Sequence, residues 1–344
     1  MCGAAGARSA PPGGAQPTSA VGPRRGPYSD RVKIALATCA ALPTLDAEES
    51  PLLGELERRG VDVEAAVWDD PAVDWAAYDL VVIRSTWDYA TRQAEFVAWA
   101  DRVESVTTLV NPAPVVRWNT DKHYLAELER AGVPIVPTMW LEPERHLSSR
   151  ALHTRFPAHG DFVIKPAVSA GSVDTGRYTA IDAGSRGLAI AHARRLLEAG
   201  RTVMVQRYLT SVDTVGERAH IFISGEYSHS VRKGAMLTGP DLGGTGLYKE
   251  ERMSRVEASD VELDMARHVI ATATGLLAQS GGDLPSQPFL YARVDLVSGD
   301  DDQPVLMELE TVEPSLFMSL GDGAVERFAT AILERVPGAP AATV

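Results

Sequence analysis

FLYARVDLVSGDDDQPVLMELETVEPSLF, residues 289–317, decides how this chain is read. Two apolar runs flank the turn Ser298–Gln303, the signature of an antiparallel hairpin. Because side chains alternate along a strand, Arg293 and Asp295 share one face of the first strand, and Glu308 and Glu310 share one face of the second. Pairing symmetric about the turn sets Arg293 opposite Glu308 and brings all four together. Three carboxylates on one face repel unless a cation or the arginine neutralises them, and oxygen donors on rigid strands suit Mg2+. For an isolated hairpin a solvated outer face is the commoner arrangement, so the reading turns on context.

Two lysines supply that context. Lys122 is expected in the first turn of a helix capped by Thr120, which carries Tyr124, Leu125 and Leu128 on one face and stops at Gly132. Lys165 ends the strand DFVIKP. Both positions suit a phosphate, the first because a helix N-terminus already attracts anions. After Lys165 comes a run of small residues in which Ser169, Ala170, Gly171 and Ser172 let backbone N–H groups approach a ligand. It matches neither GxxxxGK[ST] nor GxGxxG. VMVQRYL, ending at Leu209, reads as a strand whose backbone and side chains could border an adenine.

Outward from these motifs, the chain has 344 residues, 45% apolar and 23% charged, enough for two or three domains. Residues 1–29 are dense in Gly, Pro, Ala and Ser, and are expected to be a disordered tail. VKIALAT, LLGELERRG, VDVEAAVW and DLVVIRS alternate strand and helix as a doubly wound parallel sheet does, giving an N-terminal domain over 30–118. Mixed strands and helices over 119–209 and 210–344 read as two α+β subdomains. A formal charge of −13 disfavours nucleic acid, and no run is apolar enough for a membrane span or a secretory signal, so the cytoplasm is the expected location. Only Cys2 and Cys39 are present, which excludes a cysteine metal site, and Cys39 is read as a packed core thiol. His123, His220, His229 and His268 show no metal spacing.

Lys122, the VIKP strand with Lys165, the small-residue loop, QRYL and the RVD…MELE pair follow the order and spacing of the ATP-grasp ligases, from about residue 31 to 335. The chain most resembles their glutathione-synthetase-like branch. RSTWDY, GEYSHSVRK and LETVEPSLF further resemble a subgroup that includes the O-ureido-D-serine cyclo-ligase of D-cycloserine biosynthesis. The resemblance implies that ATP lies between the two α+β subdomains. Lys122, Lys165, Ser169, Gly171 and Ser172 would contact its phosphates, Gln206, Tyr208 and Leu209 the adenine, and Asp213 or Glu217 the ribose. It implies Asp295, Glu308 and Glu310 as ligands of two Mg2+ ions, with Mn2+ an acceptable substitute; Glu310 stands where Asn is frequent. It implies catalytic roles for Arg293, Lys165 and Lys233.

Arg84, Ser85, Thr86, Trp87, Asp88 and Tyr89 follow a strand at the carboxyl edge of the first sheet, where ligands of open α/β sheets bind, and are expected to recognise the substrate. Arg84 would pair with a carboxylate and Asp88 with an ammonium; Arg232, Glu313 and Ser315 complete the set. Leu237–Met253, with Gly239, Gly243, Gly244 and Gly246 after Gly234, is expected to close over it. The expected partners are a small-molecule carboxylate and a nitrogen nucleophile, joined through an acyl phosphate or cyclised within one molecule. A small-molecule kinase and a non-catalytic nucleotide-binding module are the alternatives, and a homo-oligomer is left open.

Overall fold

The computed structural model describes Met1 and residues 31–237, 239–241, 247, 252–280 and 284–338. The expected tail, residues 1–29, lies outside the described residues apart from Met1.

The N-terminal layer contains β1 (Lys33–Thr38), α1 (Ser50–Arg58), β2 (Asp62–Val67), β3 (Leu80–Ser85), α2 (Gln93–Glu104), β4 (Thr108–Val110) and α3 (Ala113–Asn119). The sheet is parallel with order β2-β1-β3-β4. β1 and β3 are buried along nearly their whole length, which is why they read as continuous apolar runs rather than alternating ones. Ser50 is the first helical residue of α1, with Pro51 in the first turn, where a missing N–H costs nothing. α2 buries Phe96, Trp99, Ala100 and Val103, and Phe96 stacks on Tyr89 at 4.8 Å.

α3 begins just after β4, with Pro114 again in the first turn. Its Asn119 donates to Leu309 O at 2.8 Å and accepts from Thr311 N at 2.8 Å. Asn111 likewise donates to Tyr291 O and Thr311 O and accepts from Leu290 N. These two buried amides tie the N-terminal layer to the decisive hairpin.

The middle layer contains α4 (Tyr124–Arg130), β5 (Thr138–Leu141), α5 (Ser149–Arg155), β6 (Asp161–Pro166), β7 (Gly176–Thr179), α6 (Ala183–Glu198), β8 (Val203–Arg207) and α7 (Ser211–Thr214). The sheet is antiparallel with order β5-β8-β6-β7. Thr120 ends α3 instead of capping α4, and Lys122 lies in the turn before α4, where Asp121 Oδ1 accepts from His123 N at 3.0 Å. Gly132, at φ +96°, terminates the helix as expected.

The last layer contains β9 (Glu217–Ile223), β10 (Glu226–Lys233), β11 (Met253–Val256), α8 (Asp260–Gln279), β12 (Tyr291–Ser298), β13 (Pro304–Glu310) and α9 (Ala324–Glu334), with sheet order β11-β10-β9-β12-β13. α8 opens with the capping box Ser259/Glu262 and buries Ala266, Val269, Ile270, Ala273 and Leu277. α9 returns to pack on α1.

The hairpin register differs from symmetric pairing. Ser298 pairs with Pro304 and Leu296 with Leu306, but a bulge follows, so that Asp295 opposes Glu308 and Arg293 opposes Glu310. Had the Leu296–Leu306 register run on with no bulge at Met307, Arg293 would face Leu309, and the glutamates would turn to the other side of the sheet. One bulged residue therefore puts the arginine and the acids on one face. Among the described residues no helix is long and apolar enough to cross a membrane.

Candidate functional site

The second and third sheets, with the loops and a helix end of the N-terminal layer, line one cavity of about 470 Å3. Along one part of its wall, β8 and the residues after it place Gln206, Arg207, Tyr208 and Leu209. Gln206 is buried and donates to Thr138 Oγ1 at 2.8 Å, which orients its amide. Tyr208 donates to Asp213 Oδ1 at 2.5 Å, while the Arg177 guanidinium lies 3.7 Å from the Tyr208 ring centroid. Asp213 is committed to Tyr208 and Arg177 and does not line the cavity, whereas Glu217 does.

Lys122 and Lys165 both reach Glu308 of β13, one at each carboxylate oxygen. Lys122 Nζ donates to Ser169 O at 2.7 Å and Ser169 Oγ at 3.1 Å, and lies 2.9 Å from Glu308 Oε1; Lys165 Nζ is 3.9 Å from Glu308 Oε2. Both lysines are buried. Burial, reinforced by repulsion from Lys122, pulls the Lys165 ammonium below its ordinary value despite Glu308. Burial pushes Lys122 the same way, but Glu308 outweighs it and raises the group. Ser169, Ala170, Gly171 and Ser172 line the same region, and Gly171 and Ser172 both adopt φ of +57°.

Behind them, Arg293 Nε donates to Asp295 Oδ1 at 2.9 Å and Nη2 to Oδ2 at 2.8 Å; Lys233 Nζ reaches Oδ2 at 3.1 Å and Glu217 Oε1 at 2.5 Å. Arg293 also pairs with Glu310. Burial opposes ionisation of Asp295, yet Arg293 and Lys233 hold it well below the usual carboxylate range. Glu310 goes the other way: burial, with repulsion from Asp295 and Glu308, pushes it up to about 8 despite Arg293. Besides burial, the crowding of Asp295, Glu308 and Glu310 leaves a surplus of carboxylate at this spot.

That surplus, and the all-oxygen donor set, fit Mg2+. Glu308 and Glu310 face the cavity and are the groups placed to hold it. Asp295 is 1% exposed and does not line the cavity; its oxygens are taken by Arg293 and Lys233, which would have to release one for it to serve as a ligand.

The remaining wall carries Trp87, Tyr89, Glu313, Ser315 and Phe317. Trp87 Nε1 donates to Glu313 O at 2.9 Å, and Tyr89 and Glu313 line the cavity together. Asp46 and Glu48 join them from the loop after β1. Sequence reading missed both acids, although that loop leaves the same carboxyl edge that drew attention to β3.

Five expected substrate residues lie elsewhere. Arg84 is 1% exposed, donates to Glu49 Oε1 at 2.5 Å and Pro314 O at 3.0 Å, and covers the Tyr291 and Phe328 rings. Its alternation in β3 points it into the core. Ser85 Oγ accepts from Asp46 N, and Thr86 is buried outside the cavity lining. Asp88 is held by Trp68 Nε1 at 2.8 Å and by Arg92 at 2.7 Å. Arg232 donates to Val215 O and Thr214 O.

From the expected closing segment, Leu237 and Met253 line the cavity, as does Met236 just before it; residues 238, 242–246 and 248–251, including Gly243, Gly244 and Gly246, lie outside the described residues. Gly239 O accepts from Arg177 N at 2.9 Å, and Asp241 N donates to the Tyr178 hydroxyl at 3.3 Å. A Cβ on Gly176 would stand 2.5 Å from Asp241 N, so this contact needs glycine. Asp174, His192 and Asp241 converge here, but Arg195 pairs with both carboxylates and Arg201 with Asp174, making an ion-pair network.

Residues 34–111 match the model of the D-cycloserine synthetase DcsG N-terminal domain family. The chain is 38% identical over 307 residues to the cycloserine biosynthesis protein DcsG of Streptomyces lavendulae, covering 88% of this chain and 98% of that one. It superposes on the crystal structure of D-cycloserine synthetase DcsG with a TM-score of 0.77 at 36% identity, over 88% of this chain and 99% of the other. It also superposes on D-alanine–D-alanine ligase from Bacillus anthracis complexed with ATP, with a TM-score of 0.60 at 13% identity, over 88% and 96% of the two chains, a likeness of fold.

Proposed function

This chain belongs to the D-cycloserine synthetase family of ATP-grasp ligases, and from that premise we propose that it is an ADP-forming ligase that activates the carboxylate of O-ureido-D-serine and closes it on a nitrogen of the same molecule. The observation that carries this reading is the convergence of Lys122, Lys165, Arg293, Glu308 and Glu310 on one cavity whose other walls carry Gln206, Tyr208 and Leu209 and an acid-rich end. Residues 30–118 would supply the substrate end, 119–209 the adenine and phosphate contacts, and 210–344 the metal face. The reaction is set in the cytoplasm, where ATP is abundant.

A carboxylate does not condense with nitrogen at neutral pH, because its oxygen leaves poorly; transfer of the γ-phosphoryl group converts that oxygen into phosphate. Lys122 and Lys165 stand where the phosphate charge would lie, and their burial makes each worth more than it is in water. Glu308 and Glu310, with Asp295 once released, would hold two Mg2+ ions, or Mn2+ in their place, which would neutralise the triphosphate charge. Gln206, Tyr208 and Leu209 hold the adenine, and Glu217 takes the ribose. Arg293, tethered by Asp295 and Glu310 and accepted by Ser315 O at 3.1 Å, is aimed to steady the oxyanion formed when nitrogen attacks. Lys233, fixed between Glu217 and Asp295, adds a further cation beside them.

The test is incubation with Mg2+, ATP and O-ureido-D-serine, reading ADP release and product mass together. Substrate-dependent ADP with a cyclised product is expected. A phosphorylated product would make the chain a kinase, and no ADP with any amino-acid derivative would make it a binding module.

A further inference from the structure

The cavity's carboxylates are not equivalent. Asp295 is paired with Arg293 and Lys233, Glu217 with Lys233, Glu308 with Lys122 and Lys165, and Glu310 with Arg293. Glu313 is 8% exposed and lines the cavity, yet among the described residues it forms no ion pair. The neutral phenol of Tyr89, itself 3% exposed, faces the same cavity and acts on Glu313 without carrying charge. The Trp87 indole fixes its backbone through Glu313 O. A carboxylate held in place without a direct ion pair is free to exchange a proton rather than to anchor a charge.

The proposed ligation needs such a group. The acyl-phosphate route stated above leaves one proton unplaced: when the nitrogen lone pair forms the C–N bond and the C–O bond breaks, its electron pair departing on inorganic phosphate, the nitrogen must lose a hydrogen. The cations near the phosphates cannot take it. We propose that Glu313, positioned by Tyr89 and Trp87, is the proton acceptor for the attacking nitrogen, an assignment that rests on the ligase reading. The N–H hydrogen passes to a Glu313 carboxylate oxygen as the C–N bond forms, so charge and atoms balance without a further reactant.

The electrostatics agree. Burial raises Glu313 to about 7, with the Tyr89 hydrogen bond and Lys122 pulling it down and Glu308 pushing it up. Asp46 and Glu48 face the same space from the loop after β1, and Arg293 and Glu310 from the hairpin. A base that ionises near neutrality gives a rate rising with pH through that point.

The experiment measures ADP and cyclised product separately, with Mg2+, ATP and O-ureido-D-serine, from about pH 6 to 9. In Glu313→Gln, substrate-dependent ADP release should persist while product per ADP falls at least about tenfold. The missing product should appear as inorganic phosphate and recovered substrate, from hydrolysis of the acyl phosphate. The rise near pH 7 should vanish, and Glu313→Asp should restore part of the yield. Unchanged product per ADP in Glu313→Gln, or a raised KM with the pH profile intact, would overturn the assignment in favour of simple substrate recognition. Should Glu313→Gln fail to fold, Tyr89→Phe reads the same property: losing the phenol should move the pH rise upward, and an unmoved profile overturns the proposal. Wild-type protein releasing no substrate-dependent ADP would instead sink the ligase reading itself.

Discussion

Replacing Arg84 with Ala should break the fold's stability, not its grip on substrate. Arg84 and Glu49 are 1% and 4% exposed and bonded at 2.5 Å, and the same guanidinium holds Pro314 O at 3.0 Å. This joins the start of α1 to the loop that carries Glu313 and Ser315. Removing one partner of a buried ion pair leaves the other charge uncompensated, at a cost of about 3–5 kcal/mol. For a chain of this size, where each kcal/mol moves the midpoint by roughly 2–4 °C or somewhat less, the melting temperature should drop by roughly 5–15 °C. Removing the stranded acid as well, in Arg84→Met with Glu49→Gln, should return a large part of that loss. The assay is thermal unfolding of the two single variants and the double variant, beside KM for ATP and for O-ureido-D-serine. Wild-type melting in Arg84→Ala, with at least about a tenfold rise in the KM of O-ureido-D-serine alone, would show that Arg84 reaches substrate and would refute the placement.

Glu308→Gln should lower turnover at least about a hundredfold, because Glu308 links both lysines to the metal face; Lys122 keeps its bonds to Ser169, so melting should shift much less, and wild-type turnover would discredit the role. Chelation with EDTA should abolish ADP release, with excess Mg2+ restoring it. Burial lowers His192 and His220 to about 4 in the fold, against 6.5 for a free imidazole. The unfolded chain therefore binds more protons between those values, so stability falls as pH drops from about 6.5 to about 4, by on the order of 3 kcal/mol per imidazole. Denaturant unfolding at several pH values checks this, and His192→Asn should flatten part of the slope. Gly321→Ala would place a Cβ 2.6 Å from the ring of His229, whose Nε2 bonds Leu316 O at 2.9 Å, and should cost about 1–3 kcal/mol in unfolding experiments.

Much of this was legible before any coordinates. The period of two in RVD and MELE placed Arg293, Asp295, Glu308 and Glu310 on common faces, and the structure brings them together. The register was not legible, because a bulge at Met307 is set by how two strands pair and not by either strand alone. Lys165 reads as a strand end and Lys122 as a first-turn helix residue; the structure sets Lys122 in the turn before α4 instead, and both reach the cavity. The loop after β3 was read as one substrate surface, and only Trp87 and Tyr89 of its six residues face the cavity. The edge rule says where a strand ends, not which way each side chain turns: Arg84 faces the core, and Asp88 is drawn to Arg92 and Trp68. Asn111 and Asn119 are ordinary residues by any local rule, and their roles as pins depend on partners about 180 to 200 positions away.

The central claim is that a single triphosphate sits between two buried ammonium groups and the hairpin acids. A crystal structure with Mg2+ and a nonhydrolysable ATP analogue tests it most directly. It should show adenine against Gln206–Leu209, phosphates within reach of Lys122 and Lys165, and metal on Glu308 and Glu310. A nucleotide bound outside this cavity, or metal held by other side chains, would contradict the account.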